Sequence, residues 1–163
     1  MPGVLDGIRV LDFGRYIAGP WCAALLGDLG AEVIRVEKVD GGEDRFNYEM
    51  SDLPGSGSMF MQCNRNKKGI TLNPTKPEGR KIQDKLIATA DVVIANMPPR
   101  ALQGLGLDYD SLIAIKPDII LVTNTAFGTV GPYAKKVGFD SVAQAMSGNM
   151  VMSGSPDQPA KSF

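Results

Sequence analysis

Histidine is absent from all 163 residues. This excludes Ser-His-Asp hydrolysis, histidine general-base catalysis and most transition-metal sites within the chain. Cysteine is scarce. Cys22 and Cys63 lie far apart, and without a histidine neither belongs to a Cys/His zinc cluster or a Cys–His catalytic pair. Both read as core or near-core thiols. Net charge is almost missing as well: 17 basic against 18 acidic residues leave a formal −1. No global field therefore holds nucleic acid or an anionic membrane by counterion release, and any bound anion must be met locally. No stretch approaches the roughly 20 apolar residues of a membrane span. The opening MPGVLDGI has no basic region followed by an apolar run, which predicts a cytoplasmic, reducing setting. What remains for covalent work is carboxylate, lysine, tyrosine or thiol chemistry, or chemistry carried by a bound ligand.

The residues that are present, 44% hydrophobic and 21% charged, have the composition of one globular domain. Nineteen glycines and eleven prolines spread along the chain predict many short elements and an alternating α/β order. Residues 8–13 (IRVLDF), 32–37 (EVIRVE), 69–72 (GITL), 91–95 (DVVIA) and 118–126 (DIILVTNTA) read as buried strands, the last of them the longest. Proline and glycine punctuation places helices at 20–29 and 77–89, an acidic first turn starts one at 108–115, and another spans 140–146, ending near Gly148. The first strand, helix and second strand form a βαβ unit with parallel strands. Residues 38–61 carry no sustained period and read as a surface excursion of a length that is usually functional or mobile. Residues 96–100 read as a loop and 153–163 as a turn-like tail.

In such a sheet ligands gather at the carboxyl ends of the strands, where helix N-termini offer unpaired N–H groups. The junction FGRYIAGP at 13–20 suits a nucleotide-like ligand, although its spacing is neither a dinucleotide fingerprint nor a phosphate loop, and helix punctuation explains it equally well. Lys38, after the second strand, stands where a side chain reaches a ribose or its phosphate. NRNKKG at 64–69 puts three cations before a strand, which suits either phosphate contact or a solvated turn. Asn96, Met97 and Pro98 follow a third strand and offer amide and backbone groups, or simply a turn.

The order of motifs is more specific than any one of them. LDGIRVLD at 5–12, AGP at 18–20, LGAEVIRVE at 29–37, NRNKKGITLN at 64–73, PEGR at 77–80, ADVVIAN at 90–96, GLDY at 106–109 and GFDSVAQAMSG at 138–148 closely resemble the N-terminal part of family III CoA-transferases. That family includes formyl-CoA and carnitine CoA-transferases (the CaiB/BaiF group), with α-methylacyl-CoA racemase as a side branch. The resemblance covers essentially the whole chain. It implies a Rossmann-like, open, mostly parallel sheet with helices on both faces, forming the N-terminal coenzyme A-binding portion of a protein whose full-length subunits interlock as a homodimer. It also implies transfer of CoA from an acyl-CoA to a small carboxylic acid, through an aspartyl mixed anhydride and an aspartyl-CoA thioester, without a metal.

By position the resemblance assigns coenzyme A contacts to Ile17, Ala18, Lys38, Leu72, Asn73, Pro74, Thr75, Asn96, Met97, Pro98 and the turn before Asp140. Three departures bear on the substrate: Ile17 replaces a glutamine, Gly104 an arginine and Val137 a lysine, with Lys135 and Lys136 just upstream. The nucleophilic aspartate is expected a few residues beyond Phe163, after GSPDQPAKSF at 154–163, so neither Asp140 nor Asp157 is assigned that role and the second domain is expected outside this chain. The chain alone is then expected to bind coenzyme A without turnover. An alternative is a non-catalytic subunit of a heteromeric CoA-transferase. A racemase is disfavoured because Phe139 stands at the position of that branch's histidine, and a phenyl ring cannot carry a proton.

Overall fold

The computed structural model describes residues 3–49, 52–153, 155, 157–159 and 161. The apolar, β-branched runs form β1 (Arg9–Asp12), β2 (Glu32–Glu37), β3 (Lys68–Thr71), β4 (Val92–Ala95) and β5 (Ile120–Thr123). All pair in parallel in the order β3-β2-β1-β4-β5. The chain thus winds outward in two directions from the boundary between β1 and β4, the switch point of a doubly wound sheet. The helices are α1 (Ala18–Asp28), α2 (Ser58–Cys63), α3 (Pro77–Ile87), α4 (Pro99–Leu105), α5 (Tyr109–Ile115) and α6 (Asp140–Ser147).

Alternation along the strands sorts side chains between the two faces. Val10, Val33 and Ile94 pack with Ala23 of α1 and with Ala31. Leu11, Phe13, Val36, Val93 and Ala95 pack on the opposite face with Ile87 of α3, Leu102 of α4 and Leu112 of α5. The predicted arrangement of helices on both faces is what the structure has. Each fully buried Leu, Ile or Val in these layers contributes about 1.5–3 kcal/mol of apolar burial. On the α1 face the alternation ends in charge: Asp12 follows Val10 two residues on, and Arg35 and Glu37 follow Val33, all three buried.

Three expectations fail. The run at 118–126 yields only the four residues of β5, because its single neighbour β4 offers a four-residue ladder from Val92 to Ala95; six-residue β2 is the longest strand. Residues 96–100 do not stay a loop, since Pro99 occupies the first turn of α4, where its missing N–H costs no hydrogen bond. The excursion at 38–61 is structured over its described residues. A 3₁₀ turn spans Glu43–Phe46, Glu49 bridges Gly57, and α2 follows. Its order comes from ion pairs to β2 and from Phe60, which lies against Arg45 at 4.0 Å and Arg35 at 5.1 Å, contacts that no local periodicity announces. Helix 108–115 appears as α5, with Asp108 accepting a hydrogen bond from the Ser111 N–H at 3.2 Å.

The chain divides into two compact units, Met1–Asn124 and Thr125–Phe163. The first holds the sheet and α1 to α5. Within the second, α6 begins at Asp140 and closes at Gly148, whose φ of 84° is left-handed, and the rings of Phe127 and Tyr133 lie 5.5 Å apart. Of the expected turn-like tail, Gly154, Pro156, Ala160, Ser162 and Phe163 lie outside the described residues, as does the aspartate expected beyond them; Asp157 stands in an exposed turn.

Candidate functional site

The junction after β1 is built by close backbone approach. A Cβ on Gly14 would lie 2.6 Å from Asp12 Oδ1 and 2.7 Å from Pro20 Cδ, so only glycine fits. Asp12 Oδ1 instead accepts the Gly14 N–H at 2.7 Å. The turn then passes through Tyr16 at φ 58°, a left-handed geometry costly for a non-glycine residue. Asn96, at the end of β4, secures it from across the sheet. The Arg15 N–H donates to Asn96 Oδ1 at 2.6 Å, and Asn96 Nδ2 donates to the Arg15 carbonyl at 2.8 Å. The loops after β1 and β4 are therefore pinned together at the switch point.

Beneath this turn lies an ionic network of three carboxylates, Asp12, Glu37 and Asp44, and three cations, Arg35, Arg45 and Lys67. Lys67 Nζ donates to Asp12 Oδ2 and the Pro20 carbonyl at 2.7 Å and to Asn64 Oδ1 at 2.9 Å. Arg35 donates through Nη2 to Asp44 Oδ2 at 2.8 Å and through Nη1 to Asn64 Oδ1 at 2.9 Å. Arg45 grips Glu37 with two bonds, 2.7 and 2.8 Å, and the Gly42 N–H adds a third at 3.1 Å. Burial alone would raise the Glu37 carboxyl; the Arg45 bonds, the Arg35 charge and the Gly42 N–H outweigh it and hold the group below its ordinary 4.5. Burial pushes the Lys67 ammonium down despite the Asp12 charge.

A cleft of about 260 Å³, sharing Glu37 with the network, opens at the carboxyl ends of β1, β2, β3 and β4. Phe13, Val36, Leu72, Met97 and Leu105 give it apolar walls, and the charged lining is Arg15 and Lys38 with Glu37 and Asp40. Leu72 is tied to β2 through its N–H to the Glu37 carbonyl at 2.7 Å. Asn73 Oδ1 then accepts both the Thr75 N–H at 3.1 Å and the Thr75 hydroxyl at 2.6 Å, fixing the turn into α3. Such a surface offers flat apolar contact beside cations, a chemistry suited to a ligand with both a ring and phosphates.

The residues singled out from sequence separate here. Lys38, Leu72, Asn73, Pro74, Thr75 and Met97 share this cleft. Ile17 and Ala18 start α1 outside its walls, with Ile17 exposed, and Pro98 is an exposed N-cap of α4. Asn96 spends its amide on Arg15 rather than on the cleft. The solvated-turn reading of NRNKKG holds for Arg65 and Lys68, which are exposed and pair with Asp28 and, at 2.5 Å, with Glu32, but not for Lys67, whose side chain is buried on Asp12. Sequence reasoning missed Arg15 and Val39 in the lining, although their positions directly after β1 and β2 were the available signal. Gly104 stands on the exposed side of α4 with open space about it. In the second unit, Lys136 lies over the Tyr133 ring at 4.5 Å. Burial raises the thiols of Cys22 and Cys63 above their ordinary range, so neither is poised as a thiolate.

Comparison with known proteins converges. The family model described as CoA-transferase family III matches residues 5–162. A succinate–glutarate CoA-transferase of Agrobacterium fabrum is 42% identical, over 96% of this chain and 41% of its own length. The beta subunit of a succinyl-CoA–L-malate CoA-transferase from Chloroflexus aurantiacus is 38% identical, over 93% of this chain and 38% of its own length. The crystal structure of a CaiB/BaiF family protein from Brucella suis superposes with a TM-score of 0.91 at 41% identity, covering 100% of this chain and 44% of that one. The chain thus spans about two fifths of the length of the curated relatives it matches.

Proposed function

This chain belongs to CoA-transferase family III, and from that premise we propose that it supplies the coenzyme A-binding portion of an enzyme moving CoA from an acyl-CoA donor to a carboxylic acid acceptor. One observation carries the reading: the cleft at the strand ends joins apolar walls to the cations Arg15 and Lys38. At about 260 Å³ it is smaller than the ~300–1,000 Å³ of pockets that enclose a whole drug-sized ligand. It therefore takes the nucleotide end of coenzyme A, while the pantetheine arm leaves it. Lys38, Leu72, Asn73, Pro74, Thr75 and Met97 are assigned to that end. Ile17, Ala18, Asn96 and Pro98 are assigned to the arm's exit from the switch point.

The chemistry needs a nucleophile but no histidine. A carboxylate oxygen attacks the thioester carbonyl, the CoA thiolate leaves, and a mixed anhydride forms. The thiolate then attacks the aspartyl carbonyl and releases the first acid as carboxylate, leaving an aspartyl-CoA thioester. The acceptor repeats the two steps in reverse, and backbone N–H groups stabilise each oxyanion. We assign the aspartate to the sequence a few residues beyond Phe163, in a full-length protein that is a homodimer. A second reading, a non-catalytic subunit of a heteromer, is favoured by one specific finding, the relative named as a beta subunit; recovery of a stoichiometric homologous partner on purification would establish it. Among the described residues no helix is long and apolar enough to cross a membrane.

Two measurements test the main reading. Calorimetry should show coenzyme A binding in preference to NAD and ATP, and equal affinity for all three would refute it. An acyl-CoA:acid transfer assay on this chain should show no turnover, and clear activity would refute the placement of the nucleophile.

A further inference from the structure

Building on that assignment of the cleft to coenzyme A, we propose that Arg15 is a phosphate-binding residue and that Glu43 is the internal carboxylate which an incoming phosphate displaces. Most cations around the cleft are already committed. Arg35, Arg45 and Lys67 are held by Asp44, Glu37 and Asp12 in the network that shares Glu37 with it. Arg15 differs: among the described residues its guanidinium has no hydrogen bond or ion pair, while its backbone N–H and carbonyl are both clamped by Asn96. The side chain is thus positioned at the cleft wall without its charge being consumed, the condition of an anion anchor.

Lys38 across the cleft is not free in the same way. Its ammonium donates to Glu43 Oε1 at 2.5 Å, with the two side chains 47% and 56% exposed. The Lys38 bond, together with Glu43's own backbone N–H and the nearby Arg15 charge, holds the Glu43 carboxyl below its ordinary value. Two cations therefore act on one exposed carboxylate, an arrangement in which Glu43 holds the place of an anion. Exposed pairs of this kind are weak, whereas a phosphate brings more charge and more acceptor oxygens. The exchange needs little motion. Glu43 opens the 3₁₀ turn Glu43–Phe46 just after Gly41, whose φ is 80°, and Arg45 anchors the same turn to Glu37. Only the Glu43 side chain has to swing away.

Equilibrium binding of coenzyme A, dephospho-CoA and pantetheine to the wild type, Arg15→Gln and Glu43→Gln tests this. Arg15→Gln should weaken coenzyme A binding roughly tenfold or more, and Glu43→Gln should tighten it about two- to fivefold. Pantetheine, which carries no phosphate, should respond to neither. A loss on Arg15→Gln confined to coenzyme A identifies the 3′-phosphate as the bound group, and an equal loss for dephospho-CoA identifies the diphosphate; both support the proposal. Arg15→Lys, which keeps the charge, should recover most of the affinity and separates charge from folding. Unchanged coenzyme A binding by Arg15→Gln, or weaker binding by Glu43→Gln, overturns the proposal and leaves the cleft assignment standing. Failure of the wild type to bind coenzyme A overturns both.

Discussion

At the scale of single residues, Asn96 and Glu37 show how a side chain at a strand end can build the site through its partners within the protein. Asn96 ties two loops with one amide, so Asn96→Ala should cost about 1–3 kcal/mol, measured as a lower urea midpoint. Glu37 is the more informative case. Its carboxyl is depressed in the fold, so its contribution is complete above the unfolded value and is lost as pH falls through the folded one. Glu37→Gln should therefore lower stability by roughly 3–5 kcal/mol at neutral pH, as when one partner of a buried pair is removed. Urea titrations should show the gap to wild type closing as pH drops below 4.5; a gap constant across that range would refute the ion-pair account. That charged and amide residues would stand at these strand ends was legible in the sequence. Their partners were not, because Asn96 meets Arg15 across 81 positions and Lys67 meets Asp12 across 55.

At the scale of elements, legibility followed the source of order. The strands and α5 were read because continuous apolar, β-branched runs and an acidic first turn are local signals. The 3₁₀ turn and α2 were missed because Phe60, Arg35 and Arg45 hold them through tertiary contacts. The same contrast gives a prediction for α4. Gly104 lies inside that helix on its exposed side, with no atom within 4 Å of the place an alanine methyl would take, so Gly104→Ala should stabilise by about 0.8–1 kcal/mol. Gly106, at the end of α4, has φ 61° and a Cβ there would collide with Arg80. Gly106→Ala should accordingly destabilise by about 1 kcal/mol or more. Thermal melts of the pair should move in opposite directions; movement in the same direction would contradict the assigned end of α4.

At the scale of the whole molecule, near-neutrality is repeated in the ionic network, whose six charges cancel three against three, with all but Arg45 buried. Buried pairs are screened far less than exposed ones, so the urea midpoint should change little between about 0.1 and 1 M sodium chloride. A steep loss would mean that water and salt reach the network. The absence of histidine left carboxylate, lysine, tyrosine, thiol or ligand-borne chemistry open, and it was the order of motifs that pointed to the family and to coenzyme A. The cleft itself emerged only in three dimensions, because its walls come from segments as far apart in the chain as Phe13 and Leu105. One consequence of the network reaches into protein chemistry. A depressed ammonium is ordinarily the first amine to acylate, yet the Lys67 side chain is 2% exposed and gives Nζ to three acceptors. Treatment with acetic anhydride should leave it unlabelled while its neighbour Lys68 reacts, making its protection in a peptide map a sensitive gauge of whether the native turn is intact.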